Sequence, residues 1–230
     1  MVLPEPDRLR EEDPHTGRLA AALPDHVVAH RSRFEVDLNR PRDGAVYRTP
    51  ADCWDLQVWR DTELPDDLVE GSLAIYDAFH ADLAERLDAL AASGPFVVYD
   101  VHSYNHRRDG AGAAASDPEG NPEVNVGTGS LDRSRWGHVV DAFSDALAAA
   151  PVTWGRLDVR ENVRFKGGHL SRWIHARYPG TGCCLALEFR KSFMDEWTGE
   201  VDEPHLTELV AALAATVPAV EASLGRGSGA

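Results

Sequence analysis

Gly94-Pro-Phe-Val-Val-Tyr-Asp-Val-His-Ser-Tyr104 is the stretch that decides the fold. The Gly-Pro pair halts any helix, and Phe96 to Val101 is an almost continuous apolar run of strand length. A strand that is apolar on both faces belongs inside a sheet covered on both sides. Its carboxyl end delivers His102, which is where ligands bind in open α/β sheets. Upstream, Val69, Leu73, Tyr76, Leu83, Leu87 and Leu90 recur at helical spacing and predict a long helix over Asp66–Ala92. Downstream, the pattern predicts strands at Glu123–Gly127, Leu157–Val159 and Cys183–Phe189, with helices at Arg135–Ala149, His169–Arg177 and Glu203–Leu224. Asp7–Leu23 reads as a short or broken helix, and Val27–His30 and Phe34–Leu38 as short β-prone stretches. Strands alternating with helices imply an α/β sandwich around a mixed, mostly parallel sheet.

The 230 residues suffice for one domain over 1–224, followed by a Gly/Ser tail at 225–230 that reads as flexible. A formal net charge of −15 is spread along the whole chain, which argues against nucleic-acid and anionic-membrane partners. No uninterrupted apolar stretch reaches the roughly 20 residues of a membrane span, and the first residues lack the blocks of a signal peptide. The 3 cysteines, Cys183 and Cys184 being adjacent, form no disulfide framework, and a reducing cytoplasm fits best.

Three places carry chemistry. His102 follows the decisive strand, where an imidazole can bind a metal, move protons or simply pack. Glu188 interrupts an apolar strand; in a dry site its pKa would rise, which suits a base acting on water, while pairing with Arg190 is the structural reading. Two residues apart on a strand, Glu188 and Arg190 share a face. Asn39-Arg40 lies in a loop after β-prone residues, where a guanidinium can grip a carboxylate or make a surface ion pair. Asp109–Pro122, rich in Gly, Ala, Ser, Asp and Pro, is a loop that could act as a lid beside His102.

Phe34-Glu-Val-Asp-Leu-Asn-Arg-Pro-Arg-Asp-Gly44, Asp100-Val-His-Ser103, Phe165-Lys-Gly-Gly168 and Leu187-Glu-Phe-Arg-Lys-Ser-Phe-Met-Asp-Glu196 occur in that order. They resemble the motif series of N-formylglutamate amidohydrolases, which are similar in turn to zinc carboxypeptidases. The resemblance covers the chain from about Arg8 onward. It implies a three-layer, zinc exopeptidase-like α/β/α sandwich. It also implies a cytoplasmic enzyme that uses one zinc ion to cleave N-formyl or other N-acyl amino acids, such as N-formylglutamate, to formate and the free amino acid. His102 would then be a zinc ligand, Glu188 the general base, and Asn39 with Arg40 the carboxylate clamp, with Lys166 and Arg190 as further substrate contacts. The family's N-terminal His-containing turn, source of two more zinc ligands, has no clear counterpart. Pro14-His15-Thr16-Gly17 resembles it but lies too close to Asn39. His26 with His30 and His205 with Glu208 are weak substitutes, and His80 reads as a core histidine. A truncated chain, a non-catalytic relative and a carboxypeptidase-like peptidase are the alternatives.

Overall fold

The computed structural model describes residues 1–61 and 64–225, so the tail expected from residue 225 lies, from 226 onward, outside the described residues. The elements run α1 (Glu5–Glu11), α2 (Thr16–Ala20), α3 (Asp66–Ser93), β1 (Phe96–Tyr104), β2 (Val124–Gly127), α4 (Arg133–Ala148), β3 (Val159–Glu161), α5 (His169–Arg177), β4 (Gly182–Arg190), α6 (Glu203–Ala214) and α7 (Val217–Leu224). Sheet order is β1-β4-β2-β3. β1 and β4 are parallel, β2 and β3 are parallel, and β2 runs antiparallel to β4. The expected mixed α/β sandwich is therefore present.

Alternation along β1 and β4 builds two layers of core. Val97, Tyr99, Val101, Cys183, Leu185, Leu187 and Phe189 face α4, α6 and α7 through Phe143, Leu206 and Val220. Phe96, Val98 and Cys184 face α3 and α5 through Leu83, Leu87 and Ile174. At roughly 25 cal/mol per Å2 of apolar surface, buried side chains of this size contribute on the order of 1.5–3 kcal/mol each.

Four expectations need correction. Val27–His30 and Phe34–Leu38 form no strand. Phe34 and Val36 are buried, but their segment is held by turns, with Glu35 N and Val36 N both donating to Ser32 O. Their apolar pattern therefore reflects packing, of Phe34 onto Tyr47 and Cys53 and of Val36 onto Ala45 and Tyr76, rather than a ladder. The single last helix is two helices, because Pro218 in the first turn of α7 has no N–H to continue the ladder. Together α6 and α7 are long and apolar enough to match a membrane span by composition, yet they bury their apolar faces on the sheet. Strand β3 begins at Val159, two residues late, since Leu157 is buried without pairing. Lastly, His102 lies within β1 rather than after it, in register with Glu188 of β4.

Candidate active site

Asp100, His102 and Tyr104 occupy one face of β1, and Ala186, Glu188 and Arg190 are their in-register neighbours on β4. Asn125 of β2 lies opposite Glu188 from the other side. The imidazole, three carboxamide or carboxylate groups and a guanidinium thus share the sheet face that carries α3 and α5.

Segments without regular structure close over this face. Asp13, between α1 and α2, accepts from Ser103 N at 2.9 Å and from Ser103 Oγ at 3.1 Å with Oδ1, while Oδ2 is 3.2 Å from His102 Nδ1. β1 is an edge strand, so Asp13 supplies an acceptor that a neighbouring strand would otherwise provide. Lys191 anchors the segment, its buried ammonium donating to Arg10 O at 2.6 Å and Glu12 O at 2.7 Å. Burial holds Lys191 down to about 8 against the pull of Asp13, Glu11 and Glu196.

Asn39 enters from the turn before Pro41. Its Oδ1 accepts from Leu170 N at 2.7 Å, capping an otherwise unpaired N–H in the first turn of α5. That bond fixes the amide orientation, so Nδ2 faces His102 Nε2 at 3.0 Å. Gly168 makes this docking feasible, since a Cβ there would collide with the Asn39 amide. Asp100 Oδ1 lies 2.8 Å from the same Nε2. One ring nitrogen can donate to Asp100 or accept from Asn39, so the site offers His102 a partner in either protonation state. Burial disfavours the imidazolium, but the charges and hydrogen bonds of Asp100 and Asp13 outweigh it and hold His102 well above its usual range. Asp13 experiences the converse: burial opposes ionisation, and His102, Arg33 and Lys191 hold it well below the carboxylate range.

Glu188 is pushed up to about 7, first by burial and then by Asp13 and Asp100, with His102 and Arg33 pulling against them. Near neutrality it exists as both acid and base, the condition a general base requires. Arg33 is among the cations that pull the Glu188 carboxyl down against its burial. It donates to Asp37 Oδ2 at 2.8 Å, and its buried Nε has no partner among the described residues. Arg40 lies over the Tyr47 ring at 4.5 Å and 3.6 Å from Asp37. Arg190 donates to Asn121 O at 2.9 Å and has a buried Nε without a partner among the described residues. Arg164 donates to Asn121 Oδ1 at 2.6 Å and covers the Tyr104 ring at 5.3 Å. Exposed Lys166 sits in the 165–168 loop, which passes so close over β2 that a Cβ at Gly127 would meet the backbone of Gly167.

The structure thus brings His102, Glu188 and Asn39 together, sets Arg190 two residues along the face from Glu188, and places Arg40 beside Asp37. Asp13, Arg33, Asp100 and Arg164 are additions that the sequence reading missed. Asp100 was detectable, being polar in an apolar run and two residues from His102. Arg33 and Asp13 had no local signal. His15 stands in a left-handed turn (φ 68°) near Arg18 and Glu203, and Glu208 bonds Thr153, so neither joins the site.

Zinc is the cofactor that the resemblance implied. Among the described residues no three His, Cys, Asp or Glu side chains are arranged to hold a metal ion. The His102 imidazole has partners at both nitrogens, and Asp13 and Asp100 are tied to that ring, while Glu188 stands beside it without a bond to it. This donor set does not fit a tetrahedral zinc with three protein ligands, and no step below runs through a metal.

Fold and cleft together define an α/β sandwich with a titratable site on the face of its sheet. The sequence profile of N-formylglutamate amidohydrolases matches residues 1–194, and the chain belongs to that family. It is 29% identical over 161 residues to a curated N-formylglutamate deformylase of Pseudomonas aeruginosa, covering 64% of this chain and 55% of that protein. The chain thus spans about half the length of that relative. A crystal structure of an N-formylglutamate amidohydrolase from Ralstonia eutropha JMP134 has the same fold, with a TM-score of 0.69 at 21% identity over 98% of this chain and 88% of that one.

Proposed function

We propose that this chain hydrolyses the amide bond of N-acyl amino acids, with N-formyl amino acids of the N-formylglutamate type as the substrate class. The observation that carries the reading is Glu188, held near 7 beside His102 on the cleft face. In the ionised form Glu188 takes a proton from a water as that water attacks the acyl carbon. The tetrahedral oxyanion develops beside the cations of His102 and Arg33, where fixed charge in a dry site is most effective. Glu188 then returns the proton to the amide nitrogen as the C–N bond breaks, releasing the acid and the free amino acid. Arg190 and Arg40, with Lys166 at the rim, would hold the substrate carboxylates bidentately or as point charges.

The test is turnover of N-formyl-L-glutamate, measured as released formate, with and without added zinc and with a chelator. Glu188→Gln should lower turnover by at least ~100-fold while the protein stays folded; unchanged turnover overturns the assignment. Arg40→Ala should raise KM with little change in kcat, and equal activity on a carboxylate-free formamide would remove Arg40 from binding. One observation favours a second reading, a binding protein without turnover: the described residues lack a three-donor metal set. Binding of N-formylglutamate with no formate release under any metal condition would select it.

A further inference from the structure

The turn that carries Asn39 is held both from within, where Asp37 Oδ1 accepts from Asn39 N at 3.0 Å, and from outside the cleft. Tyr76 and His80 stand one helical turn apart on α3, so their side chains project from the same stripe of the helix. Tyr76 Oη donates to Arg40 O at 2.9 Å, and His80 Nε2 donates to Leu38 O at 3.2 Å. The two carbonyls that flank Asn39 are therefore both fixed by α3. His169, the first residue of α5, places Nε2 3.3 Å from Tyr76 Oη. Because that hydroxyl already donates to Arg40, it accepts from His169, and the chain His169 to Tyr76 to Arg40 has one direction. The His80 ring is itself immobilised, 4.2 Å from the Tyr76 ring, 5.2 Å from Phe79 and 5.4 Å from Trp173 between centroids.

We propose that Tyr76 and His80 are positioning residues: by holding the carbonyls on either side of Asn39 they set its amide against His102. This rests on the hydrolase reading for its kinetic consequence, though the placement itself can be read without turnover. A small misplacement of a group next to reacting atoms lowers rate far more than binding, so the effect belongs in kcat rather than KM. The Leu170 bond sets which way the Asn39 amide faces, whereas the two carbonyl contacts set how far the turn brings it toward His102.

The experiment uses Tyr76→Phe, His80→Leu and His80→Gln in the full chain, the last retaining an N–H able to reach Leu38 O. Melting temperature, kcat and KM on N-formyl-L-glutamate, and the Asn39 side-chain amide pair in a 1H–15N spectrum are read for each. Tyr76→Phe and His80→Leu should shift the Asn39 amide pair and lower kcat on the order of tenfold with KM within about twofold, while His80→Gln restores both. An Asn39 amide pair unmoved in His80→Leu overturns the proposal, as does equal loss in the Gln and Leu variants. If the wild type releases no formate, the hydrolase reading fails and the amide shift alone decides the positioning role.

Discussion

The raised carboxyl of Glu188 has a cost in stability that can be measured. Its pKa moves from an ordinary value to about 7, so over the interval between those values the folded state holds a proton that the unfolded state has released. Folding therefore becomes less favourable as pH rises through that interval, and the full penalty is present above pH 7. Glu188→Gln, which removes the charge and keeps the shape, should be more stable than wild type at pH 8 by up to ~3 kcal/mol in urea unfolding. With Glu188 as the base proposed above, the same titration predicts a kcat/KM profile rising with pH to a plateau above about 7, because the base must be ionised. A flat profile between about pH 5 and 8 would remove Glu188 from that role. Asp13 has the opposite sign. Its folded pKa is depressed, so its contribution is complete above the unfolded value of about 3.9 and fades as acid approaches the folded one. Asp13→Asn should lose ~1–3 kcal/mol at neutral pH, through the unmatched His102 and Ser103 partners, and decline less steeply below pH 4; a variant with wild-type stability at neutral pH would contradict this. These residues differ in how far they could be read from sequence. His102 and Glu188 break apolar runs of strand period, so the pattern itself marks them. Asp13 lies in a charged stretch where one more acid carries no signal, and its role arises from a contact across 90 residues with Ser103.

The elements whose sequence reading held best are those whose period and boundaries agree. α5 begins and ends where expected, and α3 differs by one residue, because Gly94-Pro95 terminates it in any context. Val27–His30 and Phe34–Leu38 read as β-prone yet form no strand, because Phe34 and Val36 bury into local clusters without pairing; burial and ladder formation produce the same letters at this length. The Asn39 turn is held locally by Asp37 and non-locally by α3 and the start of α5, and only the local part has a sequence neighbour to announce it. Gly168 is the point where these elements meet, as its missing side chain leaves room for the Asn39 amide. Gly168→Ala should force the amide away from Leu170 N and His102, destabilising the protein by ~1–3 kcal/mol as overpacking does. Thermal unfolding together with formate release checks this, and loss of neither would mean that the 165–168 loop shifts at no cost.

For the whole molecule the governing quantity is charge. The chain carries 38 acidic and 23 Lys or Arg residues, yet the cleft gathers Arg33, Lys191 and His102 around Asp13, Asp100 and Glu188. The site is thus close to balanced inside a protein whose remaining surface is strongly anionic. Repulsion among surface carboxylates acts across solvent and is screened with a Debye length of about 10 Å at 0.1 M salt, whereas the cleft pairs are partly shielded from solvent and screened much less. Added salt should therefore relieve the unfavourable long-range term while leaving most of the favourable short-range one, because a net charge far from zero works against the compact state. Raising NaCl from about 0.02 to about 0.3 M at pH 7.5 should increase the melting temperature, with the Asp13→Asn variant gaining a similar increment because its lost contacts lie in the cleft. A melting temperature that falls with salt would mean that surface ion pairs such as Arg18 with Glu203 and Arg42 with Asp77 outweigh the repulsion. A gain confined to the wild type would place the screened interaction in the cleft instead.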